Sequence, residues 1–242
     1  MKPATDPAAN GWRNARRRLS VADPVLAAVI KAVGPCTLAP SFSGTPFSHL
    51  THAIAHQQLN GTAANTILQR FLALYPQAVH PQPGQVLATD PAQLRGAGLS
   101  RGKIAAIFDL AARTLDGTVP ADGTQLLSLS NEEIIDRLTQ VRGIGPWTVQ
   151  MMLMFQLGRP DVLPIDDFGV RSGFRLAYGL RTMPHPSALA GFGERWAPWR
   201  SVASWYLWRA VDLHREKKLP AAPKPPPRIR KPTQRRRLAR KK

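Results

Sequence analysis

With 242 residues and 43% apolar content, the chain is long enough to bury one good core or two small lobes. Its formal charge of +18 favours a polyanionic partner, yet twelve of the 33 Lys and Arg lie in residues 217–242 with no acid among them. The remainder keeps 21 basic against 15 acidic residues, so a polyanion-binding face in the body has to be local. Cys36, the only cysteine, excludes an internal disulfide, a zinc cysteine cluster and a four-cysteine iron–sulfur site. No run approaches the roughly 18 apolar residues of a membrane span, and the N-terminus lacks a secretory core. These bounds predict a soluble intracellular protein with no membrane contact.

In chain order, residues 1–18 are polar, with arginines at Arg13, Arg16, Arg17 and Arg18, and are predicted to form a flexible basic arm. VADPVLAAVIKAVG reads as a helix with Asp23 as N-cap, Pro24 at the first helical position and Gly34 just past the end. Pro46–Leu74 is a long helical pattern with a break at Asn60-Gly61. Asp90-Pro91 opens a helix that ends at Gly96. Ser100 caps RGKIAAIFDLAARTL, whose Ile104, Ile107, Phe108 and Ala111 share one face. Ser130 and Glu133 form a capping box. Gly143-Ile144-Gly145 then turns the chain, and Pro146 starts PWTVQMMLMFQL. Asp166 or Asp167 caps FGVRSGFRLAYG, and residues 186–214 supply two more helices. Strand alternation is nearly absent. The expected fold is all-α, as a body over residues 19–216 followed by a Pro-rich basic tail over 217–242 that cannot bury a core.

The segment from Leu138 to Arg171 carries the chemistry. Main-chain N–H groups at Gly143 and Gly145 can approach a phosphate without side chains in the way, and the following helix N-terminus favours an anion. Two adjacent carboxylates, Asp166 and Asp167, come shortly afterwards. Acids are a poor choice for holding a polyanion, so a phosphate clamp beside them indicates chemistry on nucleic acid rather than adhesion. The ordinary alternatives are a tight connection for the glycines and helix capping for the acids.

LTQVRGIGPWTVQMM followed by LPIDDFGVR resembles the helix-hairpin-helix DNA base-excision glycosylases, and within them the alkylation-repair branch, 3-methyladenine DNA glycosylase type II. HAIAHQQLNGTAA, LRGAGLSRGKIAAIFDLA and FGERWAPWRSVASWYLWRA match further blocks in the right order, so the resemblance covers about residues 20–212. It implies two helical lobes with the active site in the cleft between them. It also implies a monofunctional enzyme that flips an alkylated purine out of duplex DNA and hydrolyses its N-glycosidic bond.

In this resemblance the second Asp of the pair, Asp167, is the catalytic carboxylate. Asp166 with Arg171 would instead satisfy the register of the iron–sulfur branch. An ionised carboxylate stabilises the oxocarbenium-like charge that develops on the sugar, and a cationic purine leaves as a neutral base without a strong general acid. Trp147 stands where bifunctional relatives carry a Schiff-base lysine, and an indole face suits stacking on an electron-poor base. Met151, one turn on, would line the same pocket. Gly143 and Gly145 are expected to bind phosphate. Gln57, Gln58 and Asn60 form the loop that meets the duplex, with Gln58 as the wedge filling the vacated stack.

No catalytic cofactor or metal is expected: His52 and His56 have helical metal spacing but no third ligand. The hairpin could hold a structural monovalent cation between carbonyls and a phosphate, as in relatives. Trp196, Trp199, Trp205, Tyr206 and Trp208 read as core, while Arg195, Arg200 and Arg209 are candidates for a solvated or backbone-facing surface. The expected partner is double-stranded DNA. A monomer is expected, cytoplasmic at the nucleoid or nuclear in a eukaryote. Two rivals are a noncatalytic DNA-binding protein, which gains nothing from Asp167, and a glycosylase for uracil or mismatched thymine. Neutral bases need leaving-group activation for which no residue stands out.

Overall fold

The computed structural model describes residues 7–41 and 44–224, and every regular element within them is helical. The helices run α1 (Pro7–Ala22), α2 (Pro24–Val33), α3 (Pro46–His56), α4 (Gly61–Ala73), α5 (Pro83–Leu87), α6 (Pro91–Gly96), α7 (Arg101–Leu115), α8 (Asn131–Leu138), α9 (Pro146–Phe155), α10 (Phe168–Ala177), α11 (Pro186–Gly193) and α12 (Arg200–Arg215). Short 3₁₀ turns occur at Gly123–Leu126 and Glu194–Trp196. The all-α reading holds. Two compact units emerge: the chain up to Ala39 joins the chain from Arg159 onward to form the first, and Pro40–Gly158 forms the second. None of the described helices is long and apolar enough to cross a membrane.

The flexible arm expected over residues 1–18 requires correction. Helix α1 already runs from Pro7, and Trp12, Ala15 and Leu19 are buried along it. Their spacing of three and four places them on one stripe, which packs on α2 and α12. The Trp12 indole N–H donates to the Leu38 carbonyl at 2.7 Å. Arg13, Arg17 and Arg18 occupy the exposed side, and this arginine cluster hid the stripe in the sequence. Residues 1–6 lie outside the described residues, as do 225–242 of the expected tail. Within that tail, Leu219 packs against the core of the first unit.

That core is built around a buried acid. Asp23 caps α2 at 2% exposure, and its Oδ1 accepts from the Val25 and Leu26 amides at 3.1 and 3.2 Å. Its Oδ2 accepts from the Tyr178 hydroxyl at 2.6 Å and the Trp196 indole at 2.9 Å. Burial first, and then the Asp23 charge, raise the Tyr178 phenol well above its usual range. It therefore stays protonated as the donor this acid requires. Phe174 stacks on Tyr178 at 4.1 Å, with Phe192 and Trp196 edge-on around them. Among the C-terminal aromatics, Trp196, Trp205 and Tyr206 are core as expected. Arg200 is held by Asp161 through Nε and Nη2 at 2.7 and 2.8 Å, Arg209 pairs with Asp212, and the Arg195 guanidinium lies over the Phe192 ring. These partners fix arginines for which the sequence offered only a surface.

In the second unit the caps fall where the sequence placed them. Asn60, Asp90 and Ser100 accept from the first turns of α4, α6 and α7, and Ser130 with Glu133 completes the box at α8. Helix α7 packs on α3, α5 and α6. From it, the Lys103 ammonium donates at 2.7 Å to the Ala55 carbonyl, in the last turn of α3. A cation there satisfies an orphan carbonyl and complements the helix dipole. Helix α5, too short for a clear period, was not anticipated.

Candidate functional site

The turn between α8 and α9 is set by a few side chains. Gly143 adopts φ +76, a left-handed conformation that favours glycine, and Ile144 is buried as its anchor. Asp109 of α7 accepts from the Arg142 amide at 2.7 Å. Gln57, at the end of α3, donates its Nε2 to the Gly143 carbonyl at 2.9 Å. The Gly145 carbonyl accepts from the Thr148 and Val149 amides. These bonds use the carbonyls of the two glycines, while their N–H groups are not among the donors. Helix α9 starts with Pro146 and has no acid in its first turn, which leaves its positive end uncompensated for an anion.

A cavity of about 560 Å³ opens beside this hairpin, lined among others by Gln57, Gln58, Gly143, Trp147 and Met151. Five residues drawn from two separate blocks of sequence thus share one cavity. Trp147 is 47% exposed, so it is a wall rather than core, and Met151 and Phe155 follow it at four-residue steps on α9. Gln58 is exposed and sits at φ +58, a conformation that costs an L-residue energy and is held only where the surroundings enforce it. Asn60 lies outside the cavity and is engaged as the α4 cap, accepting from the Ala63 amide at 2.9 Å. Gly145 is likewise not among the lining residues.

The opposite wall was missed in the sequence. His49, His52 and His56 of α3 all line the cavity. Their spacing of three and four is plain in HLTHAIAH, but such spacing suits a metal pair or a solvated face as well as a cavity wall. The His52 and His56 rings stack at 3.9 Å with 16° between their planes. Burial first, and then the neighbouring His56, His49 and His80, hold His52 below its usual pKa. Among the described residues, no group of three or more His, Cys, Asp or Glu could hold a metal ion.

In the first unit, Asp167 rather than Asp166 caps α10. Its Oδ1 accepts from the Val170 amide at 2.7 Å and from the Trp208 indole at 2.8 Å. Asp167 is partly buried, whereas Asp166 is exposed. Two donors on one oxygen fix the carboxylate plane, giving Asp167 a defined orientation that Asp166 lacks. Trp208 is a second residue the sequence did not single out, because helical spacing among aromatics looks the same for packing and for positioning. Gly169 makes room for it, since a Cβ there would lie 2.7 Å from Trp208 Cδ1. Arg171 donates Nε and Nη2 to the Pro184 carbonyl, so it serves a turn and not the acid five residues before it.

An all-helical body, a glycine hairpin opening an acid-free helix, and an oriented carboxylate define the class: helix-hairpin-helix proteins that act on nucleic acid. Residues 51–198 match the HhH-GPD superfamily base excision DNA repair proteins, and the chain belongs to that family. It is 39% identical over 168 residues to DNA-3-methyladenine glycosylase 1 of Schizosaccharomyces pombe, covering 69% of this chain and 73% of that protein. It is 31% identical to the alkylbase DNA glycosidase-like protein mag2 of the same yeast, over 85% of this chain and 96% of the relative. Among solved structures, an S. pombe 3-methyladenine DNA glycosylase in complex with abasic DNA superposes with a TM-score of 0.73 at 37% identity, over 83% of this chain and 97% of that one. A DNA-3-methyladenine glycosidase from Bacillus halodurans gives 0.76 at 31% identity, over 88% and 93%.

Proposed function

We propose that this protein is a monofunctional DNA-3-methyladenine glycosylase acting in base excision repair. It binds double-stranded DNA, turns an alkylated purine out of the stack, and hydrolyses the N-glycosidic bond to leave an abasic site. The gathering of Gln57, Gln58, Gly143, Trp147 and Met151 around one cavity is the observation that carries this reading. A cavity of that size takes a purine, and an indole face stacks on an electron-poor ring.

The division of labour follows from the residues. The N–H groups of Gly143 and Gly145, at the positive end of α9, hold a backbone phosphate. Gln58 enters the vacated stack, and its amide can hydrogen-bond the orphaned partner base. Asn60 keeps the loop in place as the α4 cap. Gln57 acts through its bond to the Gly143 carbonyl and holds the hairpin. As the bond from sugar to base breaks, the electron pair leaves with the base. A cationic purine thereby departs neutral, and positive charge develops on the sugar. The Asp167 carboxylate stabilises that charge, orients the water that adds at C1′ and accepts the proton that water gives up. Trp147 has no amine, so no Schiff base forms and the DNA strand stays intact.

No catalytic cofactor enters this scheme. The Gly143 carbonyl takes one hydrogen bond and retains a second lone pair, with which it would help hold a structural monovalent cation at the hairpin. That cation would supply charge neutralisation only. The carboxylate and the pocket come from one chain, consistent with action as a monomer, and the place of action is wherever the genome lies, nucleoid or nucleus.

The test uses purified full-length protein with duplexes carrying 3-methyladenine or uracil. The expected result is alkali-labile abasic sites from the methylated duplex alone, with no strand break before alkali and no borohydride-trapped adduct. An intact methylated duplex, or a trapped covalent complex, overturns the reading.

A further inference from the structure

The cavity beside the hairpin has two unlike walls. Helix α9 contributes Trp147 and Met151, which carry no titratable group. Helix α3 contributes His49, His52 and His56, and no carboxylate lines the cavity. A pocket for cationic purines would ordinarily gain from an acid, so a histidine wall needs an explanation.

We propose that the stacked His52–His56 pair is a specificity-determining wall that selects bases by charge, admitting a cationic alkylated purine while His52 is neutral. The proposal deepens the glycosylase reading and rests on the cavity being the base pocket.

His56 is the pinned member. Its Nδ1 lies 3.0 Å from the His52 carbonyl, which can only accept, so Nδ1 carries the proton. Its Nε2 lies 2.9 Å from the Asn65 amide oxygen; with that amide turned over, the nitrogen would donate to a neutral ring instead. His52 stacks on this fixed ring. A charge on His56, stacked at 3.9 Å, disfavours protonation of His52. The groups facing His52 make it the reluctant one. His49 and His56 lie on its own helix, His80 comes from the segment before α5, Lys103 reaches the end of α3 from α7, and α9 brings no titratable group. All of these are cations or potential cations. Burial first, and then His56, His49 and His80, hold His52 below its ordinary pKa.

A neutral imidazole offers an electron-rich face and a lone pair to a positive base. Once protonated it repels that base and leaves a neutral one almost untouched. The cavity therefore discriminates by charge near neutral pH and loses the discrimination in acid.

Titration calorimetry on the full-length protein tests this with 3,9-dimethyladeninium, a permanent cation, against neutral 9-methyladenine, between pH 5 and 8. The affinity ratio of cation to neutral compound is expected to stay level down to about pH 6.5, the ordinary histidine range, and to fall toward tenfold only below it, the effect of one like charge in a partly buried site. His52→Gln and His52→Phe should leave at most about a threefold fall, and the Phe variant keeps the stack without the proton. His52→Lys should depress the ratio about tenfold across the range. A ratio flat with pH in the wild type, an undiminished fall in both uncharged variants, or equal binding of the two compounds throughout overturns the proposal. Cleavage of a 3-methyladenine duplex at pH 7.5 is read separately. If it fails while the pH-dependent selection persists, the enzymatic reading is lost and the charge-selective purine site remains.

Discussion

The N-termini of α2 and α10 are built from the same parts. Each has an Asp as N-cap, each Asp bonds main-chain amides of the first turn, and each accepts an indole N–H from a tryptophan far along the chain. The difference lies in burial and in how the donors are spread. Asp23 is 2% exposed and takes two donors on each oxygen. Asp167 is partly exposed, and its bonds to Val170 and Trp208 both fall on Oδ1. A carboxylate enclosed by donors on both oxygens is a structural knot. One that is oriented by its cap and an indole while solvent still reaches it is equipped to meet a developing charge. The motif is shared and the role is set by its surroundings.

This contrast breaks most visibly at Asp167. Asp167→Asn should lower the single-turnover rate of base release by about a thousandfold while DNA affinity stays within about threefold. Asp166→Asn should change the rate less than about threefold, and the reverse order would assign the chemistry to the neighbouring acid. Asp23→Asn should act on stability instead, because its amide group would face donors where an acceptor is required. The expected cost is about 3 kcal/mol, seen as a large fall in Tm with the rate per folded molecule nearly preserved.

Smaller effects sharpen the comparison. Trp208→Phe removes the indole donor from Asp167 and should slow base release about tenfold. Gly169→Ala should do the same, since the added methyl displaces the Trp208 ring. Either variant at full rate would show that the carboxylate is aimed by its cap alone. Gln57→Ala frees the Gly143 carbonyl from its clamp and should weaken duplex binding about threefold in a titration, with a saturating rate close to wild type.

Most of the fold was legible because its punctuation is explicit. Asp23-Pro24, Asp90-Pro91, Ser100 and the Ser130–Glu133 box each mark a helix start, and each caps there, while the break expected at Asn60-Gly61 is where Asn60 caps α4. Helix α1 was lost because Arg13, Arg17 and Arg18 overlie a three-residue stripe, and charge dominates a compositional reading of a chain terminus. The pocket was half legible. Trp147 and Met151 could be placed from the motif around the hairpin, but the histidine wall could not, since i and i+4 spacing is equally that of a solvated face. Trp208 and Asp167 are 41 residues apart, and no local pattern joins them. Pairings at that separation exist only once the chain has folded.

Gln58 carries a cost that the helices on either side of it do not. A left-handed backbone at a residue with a side chain stores on the order of 1 kcal/mol, which glycine would release. Gln58→Gly should therefore melt no lower than wild type, and it is the exchange a screen for thermal robustness would favour. It would also erase the side chain proposed to enter the vacated stack, so on that proposal hardening the protein at this position would blunt it as a repair tool.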